Sequence, residues 1–139
     1  MIYEKSCGAV IYYETDETRV YLVEKMLKGH NSFCKGHMEE NETEYETAAR
    51  EVWEEANLKI SFVDGFRECI EYSPYSDCIK EVVFFLAKAE SMNVSAQPEE
   101  VSSISWLSLE KALVNLTYDS DKDVLKKADD FLNQHTTSL

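Results

Sequence analysis

A cluster of acidic side chains between residues 50 and 55 has the clearest chemical potential in this sequence. Glu51 and Glu55 are four residues apart, so on a helix they lie on adjacent turns with Glu54 beside them. Like charges at this spacing destabilise a helix by about 0.2–0.5 kcal/mol per pair. Arg50 is the only basic residue on this face of the helix that could offset the repulsion. A solvated acidic face is the simpler alternative, but three converging carboxylates favour binding of a hard divalent cation, which prefers oxygen ligands.

The same segment carries start and stop signals for the helix that must position these carboxylates. Thr43 followed three residues later by Glu46 forms a capping box. Asn57 is a residue type that can end a helix in the left-handed conformation. An apolar stripe at helical spacing predicts the face that packs on the core, with Trp53 as a packing residue; its members are Tyr45, Ala48, Ala49, Val52, Trp53 and Ala56.

The rest of the pattern predicts strands on both sides of this helix and further helices near the end of the chain. Runs rich in β-branched and aromatic residues predict strands at 7–13, 20–23, 60–72, 82–88 and 103–107, with a bend or a bulge at Gly65. Segments 29–33 and 91–100 are predicted to be irregular, and helices are predicted at 109–114 and 121–134. This order predicts a compact α/β fold.

Length and charge narrow the class of protein. The 139 residues are predicted to form one domain over 1–139. The net charge of −13 argues against duplex DNA or an anionic membrane as a partner. No apolar run approaches the roughly 18 residues of a membrane span, and the first residues lack the pattern of a signal peptide. The four cysteines form no CxxC pair, so we expect reduced thiols and a cytoplasmic location.

The acidic segment resembles the Nudix box, G-x5-E-x7-R-E-U-x-E-E-x-G-U, in which U is a bulky apolar residue. The matching positions are Gly36, Glu42 and the run from Arg50 to Leu58. Asn57 stands where the family has Gly, and we expect the turn to survive because Asn tolerates the left-handed conformation.

The resemblance implies a Nudix α/β/α sandwich with a central mixed sheet and a catalytic loop–helix–loop. It also implies that Mg²⁺ or Mn²⁺ binds Glu51, Glu54 and Glu55 together with the backbone carbonyl of Gly36. In the same comparison Arg50 orients the glutamates and Glu42 braces the loop before the helix.

Segments along nearly the whole chain resemble one Nudix branch, the asymmetric diadenosine tetraphosphate hydrolases. The loop GHNSFCKGHME matches the branch pattern G-H-W-x-F-P-K-G-H-V-E in outline, although Asn31 replaces its Trp and Cys34 its Pro. The resemblance implies phosphate contacts from Lys35, His37 and Lys80. It also implies that an acidic residue in the predicted loop at 91–100 assists the metal or the base. Glu100 matches this residue, and Glu99 is the alternative.

Tyrosines are the candidates for holding a nucleobase, because a Tyr ring is flat and apolar with a polar end. Tyr72 matches the base-stacking Tyr of the branch, and Tyr75 or Tyr118 is a candidate for a second ring. Phe84, Phe85, Phe131 and Trp106 are instead predicted to lie in the core. We do not expect Cys34 to have a redox role.

The function implied by the resemblance is metal-dependent hydrolysis of a nucleoside polyphosphate, with diadenosine tetraphosphate cleaved asymmetrically to ATP and AMP. One alternative is another Nudix pyrophosphohydrolase that acts on nucleoside triphosphates or on the 5′ end of RNA. A second alternative is a Nudix module that senses nucleotides without hydrolysing them. The expected partner is a small nucleotide, and the protein is expected to be a monomer or a dimer.

Overall fold

The computed structural model describes residues 1–136, which form seven strands and three helices around one sheet. In chain order the elements are β1 (Ile2–Glu14), β2 (Arg19–Met26), β3 (Asn31–Ser32), β4 (Cys34–His37), α1 (Glu44–Ala56), β5 (Ile60–Tyr72), β6 (Cys78–Ala89), β7 (Val101–Leu107), α2 (Leu109–Asn115) and α3 (Asp119–Thr136). Among these residues no helix has the length and apolar character needed to cross a bilayer.

The sheet is mixed, as expected from the sequence. The main strand order is β3-β2-β1-β6-β5, with β4 also paired to β1 and β7 also paired to β2. Central strands β1 and β6 run parallel, and the other pairs are antiparallel. Gly65, at φ 94°, lies where the pairing of β5 with β6 changes register, which confirms the predicted bend or bulge.

Helices cover both faces of the sheet, so the fold is an α/β/α sandwich. Strand β6 shows why, because its side chains are buried alternately on the two sides. Phe84 packs in the cluster that contains the apolar faces of α2 and α3. Phe85 and Val83 pack on the opposite side, beside Ala48 of α1. Phe131 and Trp106 are only partly buried, and each packs at the margin of one of the clusters.

Helix α1 begins and ends as the sequence predicts. Thr43 accepts a hydrogen bond from the Glu46 backbone N–H, while the Glu46 side chain accepts one from the Thr43 N–H. At the other end Asn57 adopts φ 54° and ψ 43°, and its N–H bonds to the Trp53 carbonyl. Asn57 therefore fills the left-handed position that the family gives to Gly.

The prediction that the whole apolar face of α1 packs on the core is wrong for part of that face. Trp53 is half exposed instead of packed in the core, whereas Glu51 and Glu55 are buried together with Ala48, Val52 and Ala56. The helix is thus rotated about its axis relative to the predicted orientation, which turns two of its acidic side chains toward the sheet.

The segment before α1 is also more regular than predicted. Strand β3 lies within the stretch expected to be irregular, and β4, for which the sequence predicted no strand, pairs with residues 6–9 of β1. Gly8 permits this approach, because a Cβ at that position would overlap the Cys34 carbonyl and the Lys35 side chain. The pairing brings β4 against the buried side of α1.

Glu44, the first residue of α1, joins the helix to two strands. Its carboxylate lies 2.6 Å from the Lys5 Nζ of β1 and accepts hydrogen bonds of 2.9 and 2.8 Å from Arg67 of β5. The hydrogen bonds from Arg67, with support from Lys5, lower the pKa of Glu44 to about 2. The carboxylate therefore stabilises the fold in its charged form.

We expect Glu44→Gln to lower the free energy of unfolding at pH 7 by about 1 kcal/mol. Because the folded-state pKa is depressed, the stabilisation is present above about pH 4.5 and is lost as the pH falls toward about 2. Urea unfolding across this range should therefore show a weaker pH dependence in Glu44→Gln than in wild type. The exposed Glu17→Gln is the matched control, and equal acid sensitivity in wild type and Glu44→Gln would contradict the assignment.

Candidate active site

A cleft of about 580 Å³ lies between β4, α1 and the loop that precedes β7. It brings together most of the side chains singled out in the sequence, although they come from four separate parts of the chain. The predicted site residues that line it are Lys35, Gly36, His37, Arg50, Glu51, Glu54, Glu55, Lys80 and Glu100, with Glu99 beside them. A concave site with convergent polar groups is the usual setting for a ligand.

Arg50 organises the acidic end of this cleft. Its Nη1 donates to Glu51 at 3.0 Å and to the two oxygens of Glu54 at 3.3 and 3.2 Å. Its Nη2 donates to the His37 carbonyl at 2.9 Å. One guanidinium therefore fixes two glutamates of the helix relative to the preceding loop, the arrangement that the resemblance implied.

Glu42 holds the other side of the Arg50 guanidinium. It accepts hydrogen bonds from Arg50 Nε at 2.7 Å and Nη2 at 3.0 Å, and also from the Thr47 hydroxyl and the Glu39 N–H. The bonds from Arg50 are the main cause that lowers the pKa of Glu42 to about 2. Glu42 faces Arg50 and is absent from the cleft lining, which fits the bracing role expected for it.

Gly36 is required by the position of Glu51. A Cβ on Gly36 would overlap the Glu51 carboxylate, so only glycine lets β4 pass this close to the helix. Glu51 is 9% exposed, and burial raises its pKa, with the charges of Glu54 and Glu100 adding to the effect and Arg50 opposing it. Gly36 thus packs directly on a carboxylate that faces the cleft.

Glu55 lies deeper than the other two acidic residues of the helix. It is 2% exposed and accepts a hydrogen bond of 3.1 Å from the Lys35 backbone N–H. Burial raises its pKa to about 10, and the neighbouring Glu24 adds to the shift. Glu54, by contrast, is exposed at the surface of the cleft.

The acidic end fits a divalent cation. Its donors are carboxylate oxygens, which hard divalent ions prefer. Two of these carboxylates have raised pKa values through burial and repulsion from neighbouring carboxylates, and a cation would offset both effects. Glu51, Glu54 and Glu55 would hold such an ion, beside the backbone of Gly36.

A second group of residues in the cleft lining is cationic, and we call it the cationic end. Lys35 and Lys80 both line it, and Lys80 is half-buried, with its pKa lowered by burial and by the charge of Lys35. Lys28 and His30 line the same end, and burial, together with the charges of Lys35 and Lys28, lowers the pKa of His30. Lys28 and His30 were not predicted as site residues; their only signal was their place in the loop that leads to Lys35.

The loop that precedes β7 contributes two acidic residues to the cleft, of which Glu100 is the better candidate for a role beside Glu51. Both line the cleft, but Glu100 is close enough to raise the pKa of Glu51. Glu99 instead contacts Gln97, whose amide lies 3.4 Å from its carboxylate. Glu100 is therefore the better candidate of the two predicted acidic residues.

The three predicted tyrosines lie outside the cleft lining. Tyr72 and Tyr118 are about half exposed and close together, since Tyr118 contributes, after burial, to the raised pKa of Tyr72. Tyr118 also packs against the ring of His30, with the centroids 5.9 Å apart, so this pair adjoins the cationic end. The Tyr75 hydroxyl donates a hydrogen bond of 3.3 Å to Glu4.

Two buried acidic residues near the site were also missed. Glu24 of β2 is fully buried against Glu55 and accepts a bond of 2.8 Å from the Cys34 thiol. Asp121 of α3 is 3% exposed, and burial raises its pKa to about 6, with the charge of Lys35 opposing. The available signal for Glu24 was a charged residue in an otherwise apolar strand.

A family model described as the NUDIX domain matches residues 3–128. The chain belongs to the NUDIX family. The box residues of this NUDIX protein therefore stand in the expected loop–helix–loop, with Asn57 as the one substituted position.

Curated relatives and solved structures extend the comparison. The bis(5′-nucleosyl)-tetraphosphatase [asymmetrical] of Sus scrofa is 28% identical over 140 residues, covering 92% of this chain and 95% of the relative. A C. elegans Ap4A hydrolase binary complex superposes with a TM-score of 0.86 at 27% identity, covering 94% of this chain and 98% of that one. The NUDIX domain of Shewanella oneidensis NrtR, complexed with ADP ribose, shares the fold at a TM-score of 0.76 and 16% identity.

We expect Gly36→Ala to weaken divalent-cation binding by about tenfold or more, because the added methyl group must displace the Glu51 carboxylate. Titration with Mn²⁺, followed by electron paramagnetic resonance, measures the affinity directly. Thermal unfolding of the metal-free variant separates this effect from a general loss of stability. Unchanged Mn²⁺ affinity would show that the contact between Gly36 and Glu51 does not shape the ion site.

Proposed function

We propose that this NUDIX protein is a divalent-metal-dependent hydrolase that cleaves diadenosine tetraphosphate asymmetrically to ATP and AMP. The observation that carries the proposal is a single cleft with an acidic end on α1 and a cationic end at Lys35 and Lys80. Similarity to asymmetric tetraphosphatases over 92% of the chain supports this choice of substrate.

The acidic end is proposed as the place of phosphorus–oxygen bond cleavage. Glu51, Glu54 and Glu55 would hold Mg²⁺ or Mn²⁺, which when bound lowers the pKa of water and neutralises phosphoryl charge. Arg50 keeps Glu51 and Glu54 in place through its hydrogen bonds. Glu100, close to Glu51, is the proposed additional acidic group for binding the ion or accepting a proton.

The cationic end is proposed to bind the phosphates that are not attacked. Lys35 and Lys80 are close enough for the charge of one to lower the pKa of the other, so a polyphosphate between them would neutralise two ammonium groups. His37 lies at the rim of the same cleft and is the third proposed phosphate contact.

A base site at a fixed distance from the acidic end explains asymmetric cleavage. Tyr72 and Tyr118 lie together beyond His30, and stacking between two tyrosine rings is proposed to hold one adenine. When one base is anchored and the metal-binding carboxylates are fixed, the same phosphorus atom is always presented for attack. The reaction is proposed to take place in the cytoplasm, the location predicted from the cysteine pattern.

Product analysis in ¹⁸O-labelled water tests the function. Diadenosine tetraphosphate, ATP, ADP-ribose and 5′-triphosphate RNA are compared as substrates with Mg²⁺ present. We expect the dinucleotide to have the highest kcat/KM, to give ATP and AMP, and to incorporate ¹⁸O at one phosphorus only. A higher kcat/KM for nucleoside triphosphate or RNA would replace the proposed substrate, and binding without turnover would make the protein a nucleotide-sensing module.

Glu54→Gln should lower kcat by roughly 100-fold or more, because losing one carboxylate from a metal site removes several kcal/mol of transition-state stabilisation. Glu54 is exposed, so the fold should survive, as circular dichroism can verify. Glu17→Gln removes the same charge from the exposed turn between β1 and β2 and should leave kcat unchanged. Full activity in Glu54→Gln would remove that residue from the proposed metal site.

Tyr72→Ala should raise KM for diadenosine tetraphosphate about 5- to 150-fold, the range that corresponds to 1–3 kcal/mol of base–aromatic stacking. Tyr72→Phe keeps the ring and should retain the wild-type KM. Steady-state kinetics on both variants test the assignment. If Tyr72→Ala keeps a wild-type KM, the base is held elsewhere.

A further inference from the structure

Three potential metal ligands come together just behind the acidic end of the cleft. Glu24 of β2 and Cys34 of β4 are both 0% exposed, and Glu55 of α1 is 2% exposed. One carboxylate oxygen from each glutamate and the Cys34 sulfur all lie within 4.8 Å of one another. Glu24 and Cys34 lie outside the cleft lining, whereas Glu55 faces the cleft and belongs to both groups.

The hydrogen bonds of this group leave one atom without a partner. Cys34 Sγ donates to Glu24 Oε1 at 2.8 Å, and the Lys35 N–H donates to Glu55 Oε1 at 3.1 Å. Glu24 Oε2 is fully buried, and no described residue makes a hydrogen bond to it. A buried carboxylate oxygen without a partner is costly, so either a proton shared with the neighbouring Glu55 carboxyl or a bound cation must satisfy it.

The chemistry of the donors indicates which cation would fit between them. Two carboxylates beside a sulfur form a mixed set, and sulfur is a poor ligand for Mg²⁺ but a good one for borderline and soft ions. We propose that Glu24, Cys34 and Glu55 bind a first-row transition-metal ion of the Zn²⁺ type, at a site separate from the hard-cation site of Glu51 and Glu54. The Cys34 thiol releases its proton to solvent as the metal–sulfur bond forms.

Because Glu55 belongs to both groups of ligands, an ion at the second site would affect the acidic end of the cleft. Glu55 contributes one carboxylate to both sites, so an ion bound by Glu24 and Cys34 fixes the side chain of Glu55 from behind. Three protein ligands leave a coordination position open, and the cleft lies on the side of Glu55. The two ions would then be linked through a single glutamate.

Cobalt provides a direct test, since it replaces zinc and its bond to a thiolate absorbs in the near ultraviolet. Titration of the nucleotide-free protein with Co²⁺ should produce this absorption and saturate at one equivalent. Cys34→Ser should abolish the band, whereas Cys69→Ser, which removes the exposed thiol, should retain it. Absence of the band from wild type, or its persistence in Cys34→Ser, would overturn the proposal whether or not the protein hydrolyses nucleotides.

The variant Glu24→Gln distinguishes a bound ion from a proton shared by the carboxyl groups of Glu24 and Glu55. It keeps the shape of the side chain but removes one anionic ligand, so Co²⁺ and Zn²⁺ affinity should fall about tenfold or more. Glu17→Gln is the charge-matched control and should bind both ions as wild type does. If Glu24→Gln binds the ions unchanged, Glu24 is not a ligand and a shared proton accounts for its buried oxygen.

Discussion

The burial of two carboxyl groups on consecutive turns of α1 is the constraint on which the rest of the site depends. Glu51 and Glu55 are 9% and 2% exposed, and charge in such surroundings is unfavourable unless it is paired or hydrogen-bonded. Arg50 supports Glu51 at 3.0 Å, and the Lys35 N–H supports Glu55 at 3.1 Å. The remaining repulsion makes this place favourable for cations.

Much of the local structure follows from holding these carboxylates in place. Arg50 bonds to Glu42 as well as to Glu51 and Glu54, so the helix cannot shift without disturbing the loop before it. Strand β4 must also pass close to both α1 and β1, which requires that Gly36 and Gly8 carry no side chain. The spacing between strand, helix and sheet is thus set by two glycines and one guanidinium.

The features that the sequence predicts well are local ones. The capping box at Thr43, the left-handed Asn57 and the bend or bulge at Gly65 depend on a few adjacent residues, and all three are present. The exposure of Trp53 was missed because helical spacing defines a broad stripe but not its rotation toward the sheet. Glu24 was missed because its burial depends on Cys34 and Glu55, which are distant in sequence.

A net charge of −13 and a polyanionic substrate are compatible because the charges in the cleft are separated. Exposed charges are screened beyond about 8 Å at physiological salt, so the acidic surface elsewhere contributes little at the cleft. Lys28, Lys35 and Lys80 line one end, and the glutamates of α1 line the other. In the proposed function, a phosphate chain is held at the cationic end by the protein alone and approaches the glutamates only together with cations. Binding and cleavage would consequently differ in their dependence on metal, which is the behaviour expected when the protein holds the substrate and the ion activates it.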